Sequence, residues 1–275
     1  MEPQINVSCT VPSIDWNTLG NEQILKLNTY DFMGYLGKKI INPGGLEGRD
    51  LIVNSLNFKP NSRILEIGSG NGEAACYIGQ NYDCELISVD ISDHLVNKAN
   101  KLISHKGLEH RVKAQQGDIR TLDFADNSFD YVISQGIIML VDQEKAFREI
   151  IRVLKPGGYC SGLEFCWRKP PPQSVETATY NICGCQSLKF HSRQGWHDSL
   201  TESGFEQINI FQRRFNLFSV LGFIRDEGII NSLRIAYKVI SKRSVKIRMK
   251  HIWDHFSQNI DYIDYVVYSC RKPVI

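Results

Sequence analysis

The chain has 275 residues, of which 42% are hydrophobic and 23% are charged, and its formal net charge at pH 7 is +2. These proportions are typical of a globular protein with one large domain, or with a core domain that carries insertions. The small net charge gives no global argument for a nucleic acid or an acidic surface as a partner.

The sequence contains no apolar run of the roughly 18 residues that would suggest a membrane span. The segment from Met1 to Trp16 also lacks the basic start and apolar centre of a secretory signal peptide. The eight cysteines include no C-x-x-C pair, so the common zinc and thioredoxin patterns are absent. We therefore expect a cytoplasmic protein whose cysteines are mostly reduced thiols and which binds no metal.

The first part of the chain predicts an arm and two helical segments. A polar, irregular stretch extends to about Gly20, and residues 21–41 then place apolar side chains at helical but imperfect spacing. The Asn-Pro-Gly-Gly sequence at 42–45 ends that pattern, and residues 46–56 predict another short helix. We expect residues 1–57 to form an arm with capping helices. Residues 58–275 would form the main domain, with insertions at about 168–192 and 213–260.

The stretch at 63–72, with the sequence RILEIGSGNG, predicts a buried strand that enters a glycine-rich turn. Gly68, Gly70 and Gly72 interrupt the apolar run, and the absence of Cβ atoms lets backbone approach a ligand closely. The free N–H groups of such a turn and of the helix that follows favour polar or anionic ligand groups. The spacing is G-x-G-x-G, which differs from the G-x-G-x-x-G of dinucleotide-binding proteins.

Two acids follow predicted strands further along the chain. Asp90 ends the strand at 85–90 and lies 18 positions after Gly72, close to the separation of about 20 expected for a ribose-binding acid. Asp118 follows the strand at 112–116. Open parallel sheets bind ligands at the carboxyl ends of their strands, so both acids are candidate ligand groups. Each acid alone could equally be a helix N-cap or a turn residue.

Strands and helices alternate through the middle of the chain. Further strands are predicted at 129–136 and 159–167, and helices at 73–81, 93–106 and 142–154. After the three prolines at 170–172, strand patterns recur at 205–211 and 262–270, separated by a helical excursion at 216–258. This order predicts an α/β fold: a doubly wound, Rossmann-like, mostly parallel seven-stranded sheet with an antiparallel edge strand. A helical N-terminal cap and helical insertions near the C-terminus would surround it.

Five segments of the chain resemble class I S-adenosylmethionine-dependent methyltransferases. They stand in the family's order, at 64–72, 89–92, 117–119, 129–132 and 152–158, and cover roughly residues 63–167. The resemblance is to the small-molecule type that includes the ubiquinone and menaquinone C-methyltransferases.

The resemblance implies a binding site for S-adenosyl-L-methionine. Glu66 and the glycine turn would hold the methionine end, Asp90 would accept from both ribose hydroxyls, and Asp118 would accept from the adenine amino group. Side chains just past the fourth strand would approach the sulfonium, and a tyrosine of the capping helix would either cover the site or pack in the core. The residues expected to bind the cofactor are Tyr35, Glu66, Gly68, Ser69, Gly70, Gly72, Asp90, Ile91, Asp118, Ile119, Ser134 and Gln135.

The activity implied is transfer of a methyl group from S-adenosyl-L-methionine to a small organic acceptor by in-line displacement, which leaves S-adenosyl-L-homocysteine. This reaction depends mostly on alignment and desolvation, and a general base is needed only where the acceptor must lose a proton. Candidate bases are Glu164, Cys166 and His191, and each has an ordinary structural alternative.

Other functions remain open at this level. A protein with the same fold could bind cofactor or a partner without turnover. Cys183 and Cys185, with Cys166 upstream, suggest an arsenite-type or thiol methyltransferase. However, the position after the fourth strand where arsenite methyltransferases carry a cysteine reads Gln-Gly-Ile at 135–137. A nicotinamide dehydrogenase is disfavoured by the glycine spacing and by the second acid, Asp118.

Residues 234–250 form a charge cluster with seven basic residues, no acids and interleaved apolar positions. This pattern indicates either a solvated helix face or a basic amphipathic lid that touches an acidic substrate or a membrane surface. No aromatic platform supports nucleic-acid contact. We expect a small-molecule acceptor as the partner, with no nucleic acid and no stable membrane insertion.

Overall fold

A computed structural model describes residues 16, 18–184, 188–215 and 220–274. The helices are α1 (Asn21–Lys26), α2 (Thr29–Leu36), α3 (Gly45–Leu56), α4 (Glu73–Asn81), α5 (Asp93–His105), α6 (Gln143–Val153), α7 (Gln173–Cys183), α8 (Arg193–Glu202), α9 (Val220–Glu227), α10 (Ile229–Ser241) and α11 (Arg243–Gln258). The strands are β1 (Ser62–Ile67), β2 (Cys84–Asp90), β3 (Val112–Gln116), β4 (Phe129–Gln135), β5 (Leu154–Trp167), β6 (His191–Ser192), β7 (Glu206–Arg214) and β8 (Ile263–Arg271).

The strands form one sheet in the order β3-β2-β1-β4-β5-β8-β7, and the two residues of β6 pair with the end of β5. β1 to β5 run parallel, whereas β8 pairs antiparallel with both β5 and β7. The predicted α/β fold with a mostly parallel, Rossmann-like sheet is confirmed. The reversed strand is β8, which lies second from the edge, and β7 forms the edge itself.

Apolar side chains cover both faces of this sheet. Ile64 packs with the layer of α3, α4 and α5, whereas Leu65 packs with the layer that contains α6 and α8. Neighbouring strand residues point to opposite faces, so a parallel sheet that carries helices on both sides needs apolar residues at nearly every position. Both layers leave the carboxyl ends of β1 to β4 at one edge of the sheet.

The helical pattern predicted at 21–41 is divided between α1 and α2 in the structure. The division occurs at Leu27 and Asn28, and the side-chain oxygen of Asn28 accepts from the Asp31 N–H at 2.8 Å. This N-cap supplies an acceptor for a donor that has no intrahelical partner, so a new helix begins there. The imperfect periodicity of the sequence reflects this break.

The insertion at α9 to α11 lies against the N-terminal helices. The buried Glu227 carboxylate accepts from the Lys38 ammonium at 3.0 Å and from the Lys39 N–H at 2.8 Å. The neighbouring Asp226 carboxylate accepts from the Leu46 N–H in the first turn of α3. Two consecutive acids thus connect the late insertion to the segment between α2 and α3. None of the helices in the described ranges has the length and apolar character needed to cross a bilayer.

Candidate functional site

A cavity of about 250 Å³ lies at the carboxyl ends of β1, β2 and β3. Its floor is formed by the end of β1 and by the loops that follow β2 and β3, and the loop after β4 closes one side. Among its lining residues are Gly68, Asp90, Ile91, Gly117, Asp118, Ile119, Ile137 and Leu140. The edge of the sheet where ligands bind in open α/β folds is therefore concave and contains the predicted acids.

Two glycines of the turn serve different purposes. Gly70 has a φ of +50°, and a Cβ built there would meet no described atom within 4 Å, so the backbone at this point borders open space. Gly72 has a φ of +86°, and a Cβ there would lie 2.9 Å from the Cα atom of Ala99 in α5. Gly70 consequently leaves room for a ligand, whereas Gly72 allows α4 and α5 to pack closely.

The Asp90 carboxylate connects the end of β2 to the glycine turn. One oxygen accepts from the Gly70 N–H and the other from the Ser92 N–H, both at 2.9 Å. Burial raises the pKa of Asp90 above its usual value, and the two N–H donors oppose that rise. Each carboxylate oxygen has two lone pairs, so Asp90 can accept further hydrogen bonds from a diol.

The Asp118 carboxylate is engaged by a residue that the sequence interpretation did not single out. The Arg120 guanidinium donates to both Asp118 oxygens, with Nη2 at 2.6 Å, and this hydrogen bond lowers the pKa of Asp118. Arg120 also lines the cavity. An adenine amino group would therefore share the Asp118 carboxylate with Arg120. The sequence signal for this pairing was the basic residue two positions after the acid.

Residues 65–161 match the family model described as a methyltransferase domain. The chain is 28% identical over 246 residues to an uncharacterized protein of Haemophilus influenzae, a match that covers 88% of this chain and 97% of that protein. It is 27% identical over 205 residues to phosphoethanolamine N-methyltransferase 3 of Arabidopsis thaliana, which covers 74% of this chain but only 41% of the plant protein. This chain thus spans about two fifths of that plant enzyme.

Among solved structures, phosphoethanolamine N-methyltransferase 2 of Haemonchus contortus, crystallised with S-adenosyl-L-methionine, superposes with a TM-score of 0.70. The two chains are 22% identical, and the match covers 92% of this chain and 57% of the nematode protein. This likeness establishes the shared fold. The domain match and the relatives agree with the motifs at the sheet edge. The chain contains a methyltransferase domain.

Two serine hydroxyls of this methyltransferase lie unpaired at the sheet edge. Ser69 in the glycine turn and Ser134 at the end of β4 are buried, and neither Oγ atom has a hydrogen-bond partner within the described ranges. Buried hydroxyls normally have partners, so both are candidates to bind a polar ligand, and both residues lie beside the cavity rather than among those that line it. Together with the open backbone at Gly70, they fit the polar methionine end of the cofactor. The neighbouring Gln135 is already engaged, because its amide oxygen accepts from Asn42 at 2.8 Å.

Glu66 lies beside the methyltransferase cavity but is not among its lining residues. The side chain is fully buried, accepts a short hydrogen bond from the Ser88 hydroxyl and faces the layer of α4. Burial raises the pKa of Glu66 to about 8. The Glu66 carboxylate does not line the cavity in this structure, so a direct contact with the cofactor's ammonium group stays a prediction. An electrostatic attraction would act across the glycine turn.

The burial of Glu66 predicts how stability depends on pH. Its pKa in the folded protein is above the unfolded value, so its contribution to stability is present below the unfolded pKa and is lost as pH rises through about 8. We expect the free energy of unfolding, measured with urea between about pH 5 and about pH 9, to fall with pH, and to fall less steeply in Glu66→Gln. The exposed Glu85→Gln should keep the wild-type slope. Equal slopes in all three proteins would contradict this prediction.

Tyr35 lies apart from the cavity, beneath the late insertion. The Lys238 ammonium is 3.8 Å from the centre of its ring, and the Lys242 ammonium is 3.4 Å from its hydroxyl. The preceding tyrosine on the same helix, Tyr30, is half-buried, but its hydroxyl oxygen is buried and has no hydrogen-bond partner among the described residues. The capping helix thus places Tyr35 against the late insertion and keeps the Tyr30 hydroxyl away from solvent.

The three candidate bases do not converge on one point. Glu164 is fully buried, and its carboxylate accepts from the backbone N–H groups of residues 137–139 at 3.0–3.3 Å. Cys166 is buried, and burial raises the pKa of its thiol. The His191 Nε2–H donates to the Gln143 amide oxygen at 2.7 Å, and burial lowers the pKa of His191 to about 4. The three backbone hydrogen bonds to Glu164 show that this residue holds the loop that closes the cofactor cavity.

The cysteines in the described part of the chain form no preformed soft-metal site. Cys183 is buried in α7, and burial raises the pKa of its thiol to about 12. A metal-binding thiolate needs the opposite shift. Cys185 lies outside the described residues, and the part of the chain that is described contains no metal-binding cluster of histidines, cysteines and acids.

Proposed function

We propose that the chain binds S-adenosyl-L-methionine in the cavity at the carboxyl ends of β1 to β3 and methylates a small organic acceptor. The observation that carries the proposal is the Asp90 carboxylate, which organises the Gly70 backbone and keeps further lone pairs for a ribose diol. When bound, S-adenosyl-L-methionine supplies an electrophilic methyl group on sulfur, and S-adenosyl-L-homocysteine is the product.

Residues at and beside the cavity would divide the cofactor between them. The Gly68–Gly72 backbone and the Ser69 hydroxyl would bind the methionine end, and Ser134 would lie near the reacting sulfur. Ile91 is 39% exposed at the cavity and would pack against the adenine, with Ile119 beneath it. An exposed aliphatic side chain next to buried polar groups suits a flat aromatic ligand.

The acceptor would lie between the loop after β4 and the capping helix α2. Burial raises the pKa of Tyr30 well above its usual value, so its hydroxyl remains protonated and able to donate a hydrogen bond. The buried and unpaired Tyr30 hydroxyl would orient a polar atom of the acceptor. The protein would contribute alignment and exclusion of water, which are the main requirements of this reaction.

The chemistry of the acceptor decides whether a base is needed. A neutral amine presents its lone pair directly, an amine that is protonated at pH 7 must first lose that proton, and a carbon acceptor of the quinol type must be deprotonated. The relatives named as phosphoethanolamine N-methyltransferases make phosphoethanolamine the first acceptor to test. The resemblance to the ubiquinone and menaquinone C-methyltransferases makes a quinol the second.

The test combines binding with turnover. Calorimetry should detect S-adenosyl-L-methionine and S-adenosyl-L-homocysteine, and methyl-labelled cofactor should transfer its label to phosphoethanolamine, ethanolamine, a quinol or arsenite with thiol in separate assays. Transfer to one organic acceptor would support the proposal and identify its class. Cofactor binding without transfer to any of them would favour a non-catalytic module, transfer to arsenite alone would favour the metalloid reaction, and absence of cofactor binding would overturn the proposal.

We further propose that the protein acts in the cytoplasm. The support is its thiol chemistry: Cys76, Cys84, Cys160, Cys166, Cys183 and Cys270 are all free. Reducing compartments maintain free thiols of this kind.

A further inference from the structure

The strongest apolar exposure on the described surface lies on α9 and α10. Every large apolar side chain that is at least 65% exposed, among the described residues, belongs to these two helices. A stripe at the spacing i, i+3, i+7 and i+10 continues along α10, so these side chains share one face. The main members of this apolar stripe are Leu221, Ile229, Ile230, Leu233, Tyr237 and Ile240.

The charges along α10 and the first part of α11 have one sign, and Glu47, which pairs with Arg225 at 3.8 Å, is an exposed acid beside α9. Residues 228–253 contain no acid, and Arg234, Arg243 and Lys246 are exposed without an ion pair to any described residue. The acids at the end of α9, Asp226 and Glu227, are buried and point toward the N-terminal helices. An exposed apolar face whose rim along α10 and α11 is basic complements a membrane surface, which has an apolar interior and anionic headgroups.

An apolar cavity lies directly beneath the stripe. It measures about 330 Å³ and is lined by side chains of α2, α9, α10 and α11, including Phe223, Val239 and Met249. Ile240 and Trp253 line the same cavity and are exposed, so it borders the surface beside the stripe. Its almost wholly apolar wall suits a hydrocarbon chain.

We propose that α9 and α10 dock the methyltransferase on an anionic lipid bilayer. The apolar stripe enters the boundary between headgroups and acyl chains, Tyr237 lies at headgroup level, and Arg234, Arg243 and Lys246 bind anionic headgroups. The helices lie in the plane of the surface, and the cavity bordered by Trp253 faces the acyl chains. This docking is independent of the identity of the methyl acceptor.

The test measures binding to vesicles by sedimentation. The full chain is expected to bind vesicles of equal parts phosphatidylcholine and phosphatidylglycerol, to bind phosphatidylcholine alone far more weakly, and to dissociate as salt is raised. The triple variant Arg234→Gln, Arg243→Gln, Lys246→Gln should weaken binding roughly a hundredfold. The matched triple variant Lys59→Gln, Lys101→Gln, Lys106→Gln removes three exposed charges elsewhere and should change binding little.

A second set of variants tests the apolar stripe. Leu221→Ser, Leu233→Ser and Ile240→Ser together should abolish vesicle binding, whereas Phe211→Ser with Val274→Ser, exposed elsewhere, should not. Lipids with brominated acyl chains should quench the fluorescence of Trp253, and Trp253→Phe should remove that quenching. All of these side chains are exposed, so the substitutions should leave the fold intact.

Several results would overturn the proposal. These are no binding of the unmodified protein to anionic vesicles, equal loss in the test and control variants, or unchanged binding after removal of the stripe. Ultracentrifugation provides another such result. If the protein does not bind vesicles and instead forms a dimer that the serine variant dissociates, this face binds a second copy of the chain.

Discussion

Replacing Asp90 with alanine is expected to weaken S-adenosyl-L-methionine binding roughly a hundredfold or more. A hydrogen bond to a charged group contributes about 1.5–3 kcal/mol, and the proposed ribose contact uses two of them. The substitution also releases the Gly70 N–H, which loses its 2.9 Å bond to the carboxylate and the turn geometry that this bond supports. Isothermal titration calorimetry with S-adenosyl-L-methionine and S-adenosyl-L-homocysteine measures the change.

Two further variants distinguish the loss of the ribose-binding carboxylate from the general effect of removing a negative charge. Asp93→Ala removes an exposed carboxylate three residues away and should leave cofactor affinity near that of the unmodified protein. Asp90→Asn keeps an oxygen acceptor and should lose less affinity than Asp90→Ala. Undiminished affinity in Asp90→Ala would refute the assignment of the ribose site.

Replacing Glu164 with alanine is expected to destabilise the protein by about 3 kcal/mol. The carboxylate accepts from three consecutive backbone N–H groups at 137–139, and each buried donor left without a partner costs about 1–3 kcal/mol. Burial raises the pKa of Glu164 to about 8, so removing an expensive buried carboxyl group offsets part of this loss. Urea unfolding measures the difference.

The same substitution should also reduce cofactor affinity, since Ile137 and Leu140 belong to the loop that Glu164 holds and both line the cavity. Glu85→Ala, on the exposed side of β2, is the matched control and should change both quantities little. If Glu164→Ala unfolds at the wild-type urea concentration, the loop is held by its other contacts and the interpretation is wrong.

The elements that the sequence predicts well are those with a strong local signal. The strand and glycine turn at 62–72, the strand ending at Asp90 and the helix beginning after Ser92 agree closely with the structure. Short buried strands, glycines at positive φ and helix caps each depend on neighbouring residues, so a single sequence records them. The sequence did not predict the division between α1 and α2, because apolar residues continue at helical spacing on both sides of Asn28.

Pairings between distant residues were not predictable from the sequence. Glu164 binds the loop 26 positions earlier in the chain, and Glu227 accepts from Lys38, which lies 189 positions away. Each contact requires the packing of several elements to bring its partners within 3 Å. The expectation of a base at Glu164 followed from its strand-end position, which carries no information about the backbone donors that meet it.

The sequence by itself determined the order of strands and helices, the glycine turn and the two acids at strand ends, because period, chain direction and spacing are local properties, and the resemblance of these segments to a known family implied the cofactor. Only the tertiary structure decided which polar groups are already engaged: Asp118 and Glu164 have partners, whereas the hydroxyls of Ser69, Ser134 and Tyr30 have none among the described residues. The tertiary structure also showed that the basic segment at 234–250 contains part of the exposed apolar stripe on α10. Whether a polar group can bind a ligand depends on its burial and on hydrogen-bond partners far away in the chain. Both are fixed only when the helices pack against the sheet.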